Sequence, residues 1–200
     1  MNYLAHLHLG GDKPAQLLGS LYGDFVKGPL AGRFPSDLQA AIQLHRSIDS
    51  FTDSHPLVKQ SLNRFSAERR RYAGIVLDVF FDHCLARDWT RYADVPLHSF
   101  TRRVYGVLAA QAQLPGHLAV IAPRMAAQDW LGSYREFEIV GDVIRGISRR
   151  LSKPQGLIDA AQELPDLYQP LSDDFAEFYP LLQDFAQAAL AAVEAGERDV

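Results

Sequence analysis

The apolar stretch GIVLDVFFDHCL carries two carboxylates whose spacing suits metal binding or catalysis. Asp78 and Asp82 are four residues apart, so both side chains lie on one face of a helix. Buried, ionised carboxylates repel each other and lose hydration, at a cost of several kcal/mol per group. A cation, a basic side chain or a shared proton must compensate them. The alternative to a metal or catalytic site is an internal network of ion pairs or helix caps.

A second stretch, LHRSIDSFTDSHP, carries a polar ladder. His45, Asp49 and Asp53 follow one another at i, i+4 steps and form one polar stripe on a helix that is otherwise apolar. Mg²⁺ and Mn²⁺ favour carboxylate oxygens, and imidazole is an acceptable ligand for Mn²⁺ and Fe²⁺. A lone histidine on a helix is usually structural, but this ladder accompanies a second helix with paired aspartates. The pattern therefore favours a metal or catalytic site.

Two more candidates lie near the N-terminus. His6 and His8 are two residues apart and cannot share a helix face, so one of them points at a given site, and we favour His6. Asp24 closes a predicted helix, where the helix macrodipole disfavours a negative charge. Either a turn or cap, or a bound cation, explains a carboxylate at that position.

Other chemistries fit the sequence poorly. It contains no GxxxxGK[ST] phosphate loop, no GxGxxG after a strand and no GxSxG motif. The single cysteine, Cys84, lies within the apolar stretch, and nothing marks it as a nucleophile. Di-iron helical bundles use glutamates, whereas the acids here are aspartates.

The elements that position these residues are predicted to be helices. Apolar residues recur mostly at helical spacing, and no run alternates like a half-buried strand. We therefore predict an all-α fold in which residues 1–200 form one compact domain, with the stretch from Gly74 to Leu85 buried nearly all round. The predicted helices span residues 2–9, 14–27, 36–51, 56–65, 66–92, 97–112, 116–128, 133–151, 155–162 and 171–195.

Local signals predict how several of these helices begin or end. Asp12, Ser36 and Ser66 are predicted caps at the start of the helices that follow them. Pro180 is predicted to kink or divide the last helix.

The composition limits the class of protein. The chain has 200 residues, a formal net charge of −4 and 48% hydrophobic residues, which allows a packed core. No apolar run approaches the roughly 20 residues that span a bilayer, and the first residues do not resemble a secretory signal. We therefore expect a cytoplasmic protein that binds no membrane. Nucleic acid is not favoured, because the chain has no excess of basic residues.

Basic residues are nevertheless clustered. They form either solvated faces or docks for an acidic partner. The clusters are Arg64 with Arg69, Arg70 and Arg71; Arg102 with Arg103; and Arg149 and Arg150 with Lys153.

Five motifs carry a family resemblance over nearly the whole chain. In order they are MNYLAHLHL, GDFVKG, HRSIDSFTD, LDVFFDHCLARDW and FYPLLQ. With these motifs the sequence resembles bacterial acyl carrier protein phosphodiesterases, also called acyl carrier protein hydrolases. The resemblance implies a helical bundle distantly related to the HD-domain phosphohydrolases. It also implies hydrolysis of the phosphodiester that joins 4′-phosphopantetheine to the carrier serine, with Mn²⁺ favoured as the divalent cation and Mg²⁺ as the alternative.

One departure affects the assignment of ligands. A true HD motif has histidine followed by aspartate, whereas here the adjacent pair is Asp82–His83. The HD ligand set therefore cannot be transferred by pattern alone.

With hydrolysis implied, we expect one or two metal ions held by four residues, namely Asp24, Asp78, Asp82 and His6. The ladder of His45, Asp49 and Asp53 supplies further ligands or the orienting and general-base groups. An arrangement with the ladder on the metal and Asp24 outside remains open.

Two further residues are expected to contact the phosphate. They are His83 and Arg46, of which the arginine offers a bidentate fork.

Acyl carrier proteins are strongly acidic, so the resemblance also gives the basic clusters a partner. We expect docking on Arg69, Arg70 and Arg71, with Arg102 and Arg103 as a further candidate surface. The competing hypotheses are an HD-like phosphohydrolase that acts on a small nucleotide, and a helical binding module without catalysis.

Overall fold

Helices make up most of the described structure. The computed structural model describes residues 1–196, with side chains to residue 193, and that part of the chain contains no strand. The predicted all-α fold is confirmed; that residues 1–200 form one domain stays a prediction. A 3-10 turn at Trp89–Arg91 follows the fifth helix. The α-helices are α1 Tyr3–Leu9, α2 Pro14–Phe25, α3 Ser36–Ser54, α4 Pro56–Arg64, α5 Arg70–Arg87, α6 Leu97–Ala109, α7 Leu118–Ala127, α8 Trp130–Ser133, α9 Phe137–Ser148, α10 Pro154–Ala161 and α11 Leu164–Gly196.

Helix α5 lies at the centre of the molecule. Most of its side chains between Ala73 and Ala86 are buried, in agreement with the apolar pattern of the sequence. It packs against α1, α4, α9, α10 and α11. Because Asp78 and Asp82 lie on this helix, they face neighbouring helices at positions that the fold fixes.

Helices α2 and α3 pack closely along each other, and α1 packs against both α2 and α5. Two glycines four residues apart allow the close approach. A Cβ atom at Gly19 would overlap Ala41, and one at Gly23 would overlap the ring of His45. The absence of side chains at these two positions therefore brings α3 against α2 and sets the position of its histidine.

The predicted cap at Asp12 is wrong. The residue before α2 is Lys13, whose backbone N–H donates to the Gln16 side-chain oxygen at 2.9 Å. The Asp12 carboxylate instead pairs with Arg103 of α6. The Asp12 side chain thus forms an ion pair with a distant helix instead of the predicted cap.

The two predicted serine caps also differ from the structure. Ser36 is itself the first residue of α3, after Pro35, and no side chain caps that end. Helix α5 begins at Arg70, four residues after Ser66. The Ser66 hydroxyl donates to Glu163, and Arg69, which directly precedes α5, provides no side-chain cap.

The last helix is longer than its pattern predicts. It begins at Leu164 and continues through Pro170 and Pro180. Of the two predicted effects of Pro180, division of the helix is wrong and a kink stays a prediction. A proline inside a helix costs about 3 kcal/mol or more. Burial of Phe175, Phe178 and other apolar side chains on this helix offsets that cost. Neither this helix nor another in the described residues is long and apolar enough to cross a membrane.

Candidate metal centre

Three side chains from α1 and α3 converge into one cluster of possible metal ligands. His6, His45 and Asp49 each offer a ligand atom, and these atoms lie within 4.8 Å of one another. The Asp49 carboxylate lies between the histidines, with Oδ1 3.0 Å from Nε2 of His6 and Oδ2 3.3 Å from Nε2 of His45. The imidazole rings stack with centroids 3.7 Å apart. We call this group the His–Asp cluster.

The orientation of His45 leaves one ring nitrogen available to a cation. Its Nδ1 atom is 2.7 Å from the backbone carbonyl oxygen of Ser20, which can only accept a hydrogen bond. Nδ1 therefore carries the hydrogen, and in the neutral ring Nε2 presents its lone pair towards Asp49. A lone pair that faces an ionised carboxylate requires a proton or a metal ion between the two atoms.

The charge states within the cluster also suit a metal ion. The pKa of His6 is lowered to about 4, chiefly by burial and also by the nearby His45, although the hydrogen bond to Asp49 opposes the shift, so His6 is neutral near pH 7. Burial raises the pKa of Asp49, but the contacts of its carboxylate with the His45 and His6 rings outweigh that effect and hold the pKa well below its ordinary value. His6 Nδ1 is buried and has no hydrogen-bond partner.

The cluster is buried on one side and open on the other. The two histidine side chains are only 1–2% exposed, whereas the Asp49 side chain is 45% exposed. Asp24, at the end of α2, lies on the open side of the cluster, with its Oδ1 atom 3.9 Å from Nε2 of His45. A substrate can therefore reach the carboxylates while the histidines stay fixed in the core.

Asp78 and Asp82 contact the beginning of α1. Asp82 is fully buried and accepts hydrogen bonds from the backbone N–H groups of Leu4 and Ala5, at 2.7 and 3.1 Å. Burial raises the pKa of Asp82 to about 7, although these two hydrogen bonds oppose the rise. Asp78 accepts from the Met1 amino group at 2.8 Å. Both carboxylates thus hold α1, which carries the first histidine of the cluster.

Asp53 lies one turn beyond the cluster on α3, and its side chain is exposed. Its pKa is raised by burial and by the charges of Asp78 and Asp49, so these carboxylates share one region. The Asp53 end of the predicted polar stripe thus lies near Asp78 of α5.

The two residues expected to contact phosphate have other partners in the structure. Arg46 donates to the backbone carbonyls of Val26 and Gly28, both at 3.0 Å, and so braces the loop after α2. The His83 ring lies 2.8 Å from the Tyr134 carbonyl and 2.8 Å from the Tyr168 hydroxyl. Both nitrogens of this histidine are therefore engaged.

The arginines of the basic clusters differ in whether an acidic residue already pairs with them. Arg69 pairs with Asp159 at 3.0 Å, and Arg103 pairs with an aspartate of the N-terminal region. Arg70, Arg71 and Arg102 are exposed.

The donor set fits a divalent cation. It combines imidazole nitrogens with carboxylate oxygens, which suits Mn²⁺ or Fe²⁺ better than Mg²⁺, an ion that prefers oxygen ligands alone. Sequence reasoning named His6, His45, Asp49 and Asp24 but could not identify the Ser20 carbonyl, because backbone oxygens have no sequence signature. The glycine pair four residues apart in α2 is the one signal that could have predicted the close helix contact.

The chain is thus a helical protein with a candidate metal centre. Residues 1–182 match the family model described as acyl carrier protein phosphodiesterase. A protein of that name from Yersinia pestis is 36% identical over 189 residues, which cover 94% of this chain and 98% of the relative. The Salmonella agona protein of the same name is 35% identical over 195 residues, covering 96% and 100%.

The chain belongs to the acyl carrier protein phosphodiesterase family. The resemblance carried by the five sequence motifs and the prediction of an enzyme of this family are therefore confirmed. No solved structure matches the chain, and the relation to HD-domain proteins stays a prediction.

Proposed function

We propose that the protein is a metal-dependent phosphodiesterase that releases 4′-phosphopantetheine from holo acyl carrier protein. The observation that carries the proposal is the His–Asp cluster, found in a chain whose relatives bear the name of this activity. A cytoplasmic location is part of the proposal and stays a prediction.

We infer that His6, His45 and Asp49 hold a divalent cation, with Asp24 on the open side as a further ligand. Mn²⁺ is favoured by the mixed nitrogen and oxygen donors. When bound, the cation supplies a nucleophilic water at neutral pH and polarises the phosphoryl oxygen. Ligand roles for Asp78 and Asp82 stay a prediction, and their contacts with α1 support a positioning role.

The residues of this chain supply orientation and proton transfer. The Ser20 carbonyl fixes His45 in one orientation, and Asp82 fixes the turn of α1 before His6. Asp53 is exposed beside the cluster, and its raised pKa makes it a better base for the proton of the attacking water. Water oxygen bonds to phosphorus, the bond from phosphorus to the carrier serine oxygen breaks, and the proton passes to that oxygen.

Phosphate contacts by Arg46 and His83 also stay a prediction. Arg46 could reach a phosphate only by releasing the carbonyls of Val26 and Gly28. For docking, Arg70 and Arg71 are better candidates than Arg69, because Asp159 already pairs with the latter.

The test is incubation of the protein with holo acyl carrier protein, with and without Mn²⁺, followed by mass measurement of the carrier. We expect loss of the arm only with metal. Asp49→Asn should lower the rate at least about 100-fold and remove the rise in melting temperature that Mn²⁺ produces, because it weakens a metal ligand.

Asp184→Asn is the matched control, since Asp184 is exposed on α11. It should keep both the rate and the response to Mn²⁺. Release of the arm without metal, or wild-type rates in Asp49→Asn, would contradict the proposal.

A further inference from the structure

A cavity of about 500 Å³ lies between the start of α1 and helices α7, α8 and α9. Its volume falls within the range of small-molecule sites in proteins. None of the residues assigned above to metal binding or proton transfer lines it. The function proposed so far therefore leaves this cavity without a role.

The cavity and the candidate metal centre share helix α1. Asn2 and Tyr3 line it, and the backbone N–H of His6 donates to the Asn2 carbonyl one helical turn later, at 3.4 Å. The Tyr3 ring stacks on Phe25, the neighbour of Asp24, with centroids 6.3 Å apart. Tyr3 thus lines the cavity and also contacts the residue next to Asp24, which lies at the open side of the His–Asp cluster.

The charges around Tyr3 agree with this position. The pKa of Tyr3 is raised to about 12, chiefly by burial and also by the charge of Asp24, while the charge of Arg150 opposes the rise. Asp24 lies beside the His–Asp cluster and Arg150 lines the cavity. The phenol therefore lies within electrostatic reach of both.

The walls combine apolar side chains with a few polar groups. Ile139, Val143 and Ile147 of α9 supply an apolar side. Asn2 donates to the Tyr134 hydroxyl at 2.6 Å, which places an amide and a phenol on the wall nearest α1. The apolar side suits a flexible chain of methylene and amide groups. The charged residues of the lining are Arg124, Asp142, Arg149 and Arg150.

One edge of the cavity is basic. Arg149 and Arg150 line it, and the Arg150 guanidinium lies 3.1 Å from the His117 ring nitrogen. Both arginines are exposed. A carboxylate-rich protein that covers the metal centre would meet this edge while its prosthetic group occupies the cavity.

We propose that this cavity receives the pantetheine arm of the carrier while the phosphodiester lies at the His–Asp cluster. The assignment rests on the proposed function, because it takes the substrate from there. It explains why a phosphodiesterase would place an apolar cavity beside hard metal ligands: the arm is a long neutral chain of amides that ends in a thiol.

Gly146 of α9 offers a direct test, because it lines the cavity and a Cβ atom there meets nothing within 4 Å. Gly146→Phe should fill the cavity without a backbone clash. We expect it to lower kcat/KM for release of the arm at least about tenfold and to abolish pantetheine binding measured by calorimetry. Gly146→Ala should have a smaller effect than Gly146→Phe.

Gly106→Phe is the matched control, since Gly106 is also an exposed helical glycine with open space around it, on α6 outside the cavity. It should leave pantetheine binding and kcat/KM at wild-type values. Melting temperature and Mn²⁺ binding of Gly146→Phe would show that the fold and the metal centre are intact.

The outcomes separate the two proposals. If the wild-type protein does not release the arm, the proposed function fails and the cavity assignment fails with it. If the wild-type protein releases the arm and Gly146→Phe does so equally fast, or still binds pantetheine, the cavity assignment alone is overturned.

Discussion

At the scale of single residues, His6 links the stability of the fold to pH. Its pKa is about 4 in the folded protein because of burial, compared with about 6.5 in an unfolded chain. Between these values the folded state binds fewer protons than the unfolded state, so the free energy of unfolding falls as the pH falls. This contribution is complete above pH 6.5 and is lost as the pH approaches 4.

We predict that the metal-free protein loses about 2–3 kcal/mol of stability through His6 between pH 7 and pH 4.5. Urea denaturation at both pH values measures it. His6→Gln should lose that much less than the wild type over the same interval, because glutamine does not titrate. Equal losses in both proteins would show that His6 titrates normally in the fold.

The sequence predicted which residues belong to the candidate site, but not which of them lie together. The i, i+4 rule correctly placed His45 and Asp49 side by side. The same rule for Asp78 and Asp82 cannot show whether their partners are a metal ion, an amino group or backbone N–H groups. Those partners come from residues about 80 positions away, and a helical pattern carries no information about such contacts.

At the scale of helices, the contact between α2 and α3 determines where the His45 ring lies. A Cβ atom at Gly23 would overlap that ring, and the ring cannot move far because the Ser20 carbonyl holds its Nδ1 atom. Overpacking of this kind costs about 1–3 kcal/mol.

We therefore predict that Gly23→Ala destabilises the protein by about 1–3 kcal/mol and weakens Mn²⁺ binding about tenfold or more, despite the better helix propensity of alanine. Chemical denaturation and Mn²⁺ titration test the two effects. Gly106→Ala, at an exposed site with open space, should be neutral or stabilising by up to about 1 kcal/mol. A stabilised Gly23→Ala protein with wild-type Mn²⁺ affinity would show that the contact adapts easily.

Helix positions followed from periodicity, whereas several ends did not. Long-range contacts account for the exceptions. The Ser66 hydroxyl donates to Glu163, and the Asp12 carboxylate pairs with Arg103. The continuous last helix has the same cause, because burial of side chains such as Phe178 outweighs the local penalty of Pro180.

At the scale of the whole molecule, Asp174 joins α11 to α4. It is nearly buried and accepts hydrogen bonds from Arg64, Ser61 and Gln60, with the Arg64 bonds at 2.7 and 2.8 Å. Burial alone would raise the pKa of Asp174, but these bonds outweigh it and hold the pKa below its ordinary value. The network therefore stabilises the packing of two helices outside the metal centre.

Asp174→Ala should lower the free energy of unfolding by about 3 kcal/mol, because it leaves the donor groups of Arg64, Ser61 and Gln60 without their acceptor. Mn²⁺ affinity of the folded protein should stay unchanged. Asp173→Ala, at the exposed neighbouring position, should change stability by less than about 0.5 kcal/mol. Equal effects of the two substitutions in urea denaturation would argue against the network.

The exposed arginines of α5 bear on how the whole molecule meets an acidic carrier. Arg71 lies on the same helix as Asp78, about two turns before it, and is exposed. We predict that Arg71→Glu lowers kcat/KM for holo acyl carrier protein about tenfold at low salt and less than about twofold at high salt, since salt screens steering between exposed charges. Lys59→Glu makes the same charge change at an exposed position of α4 and should have a smaller effect. If both variants behave alike at every salt concentration, net charge rather than a docking surface on α5 governs the encounter.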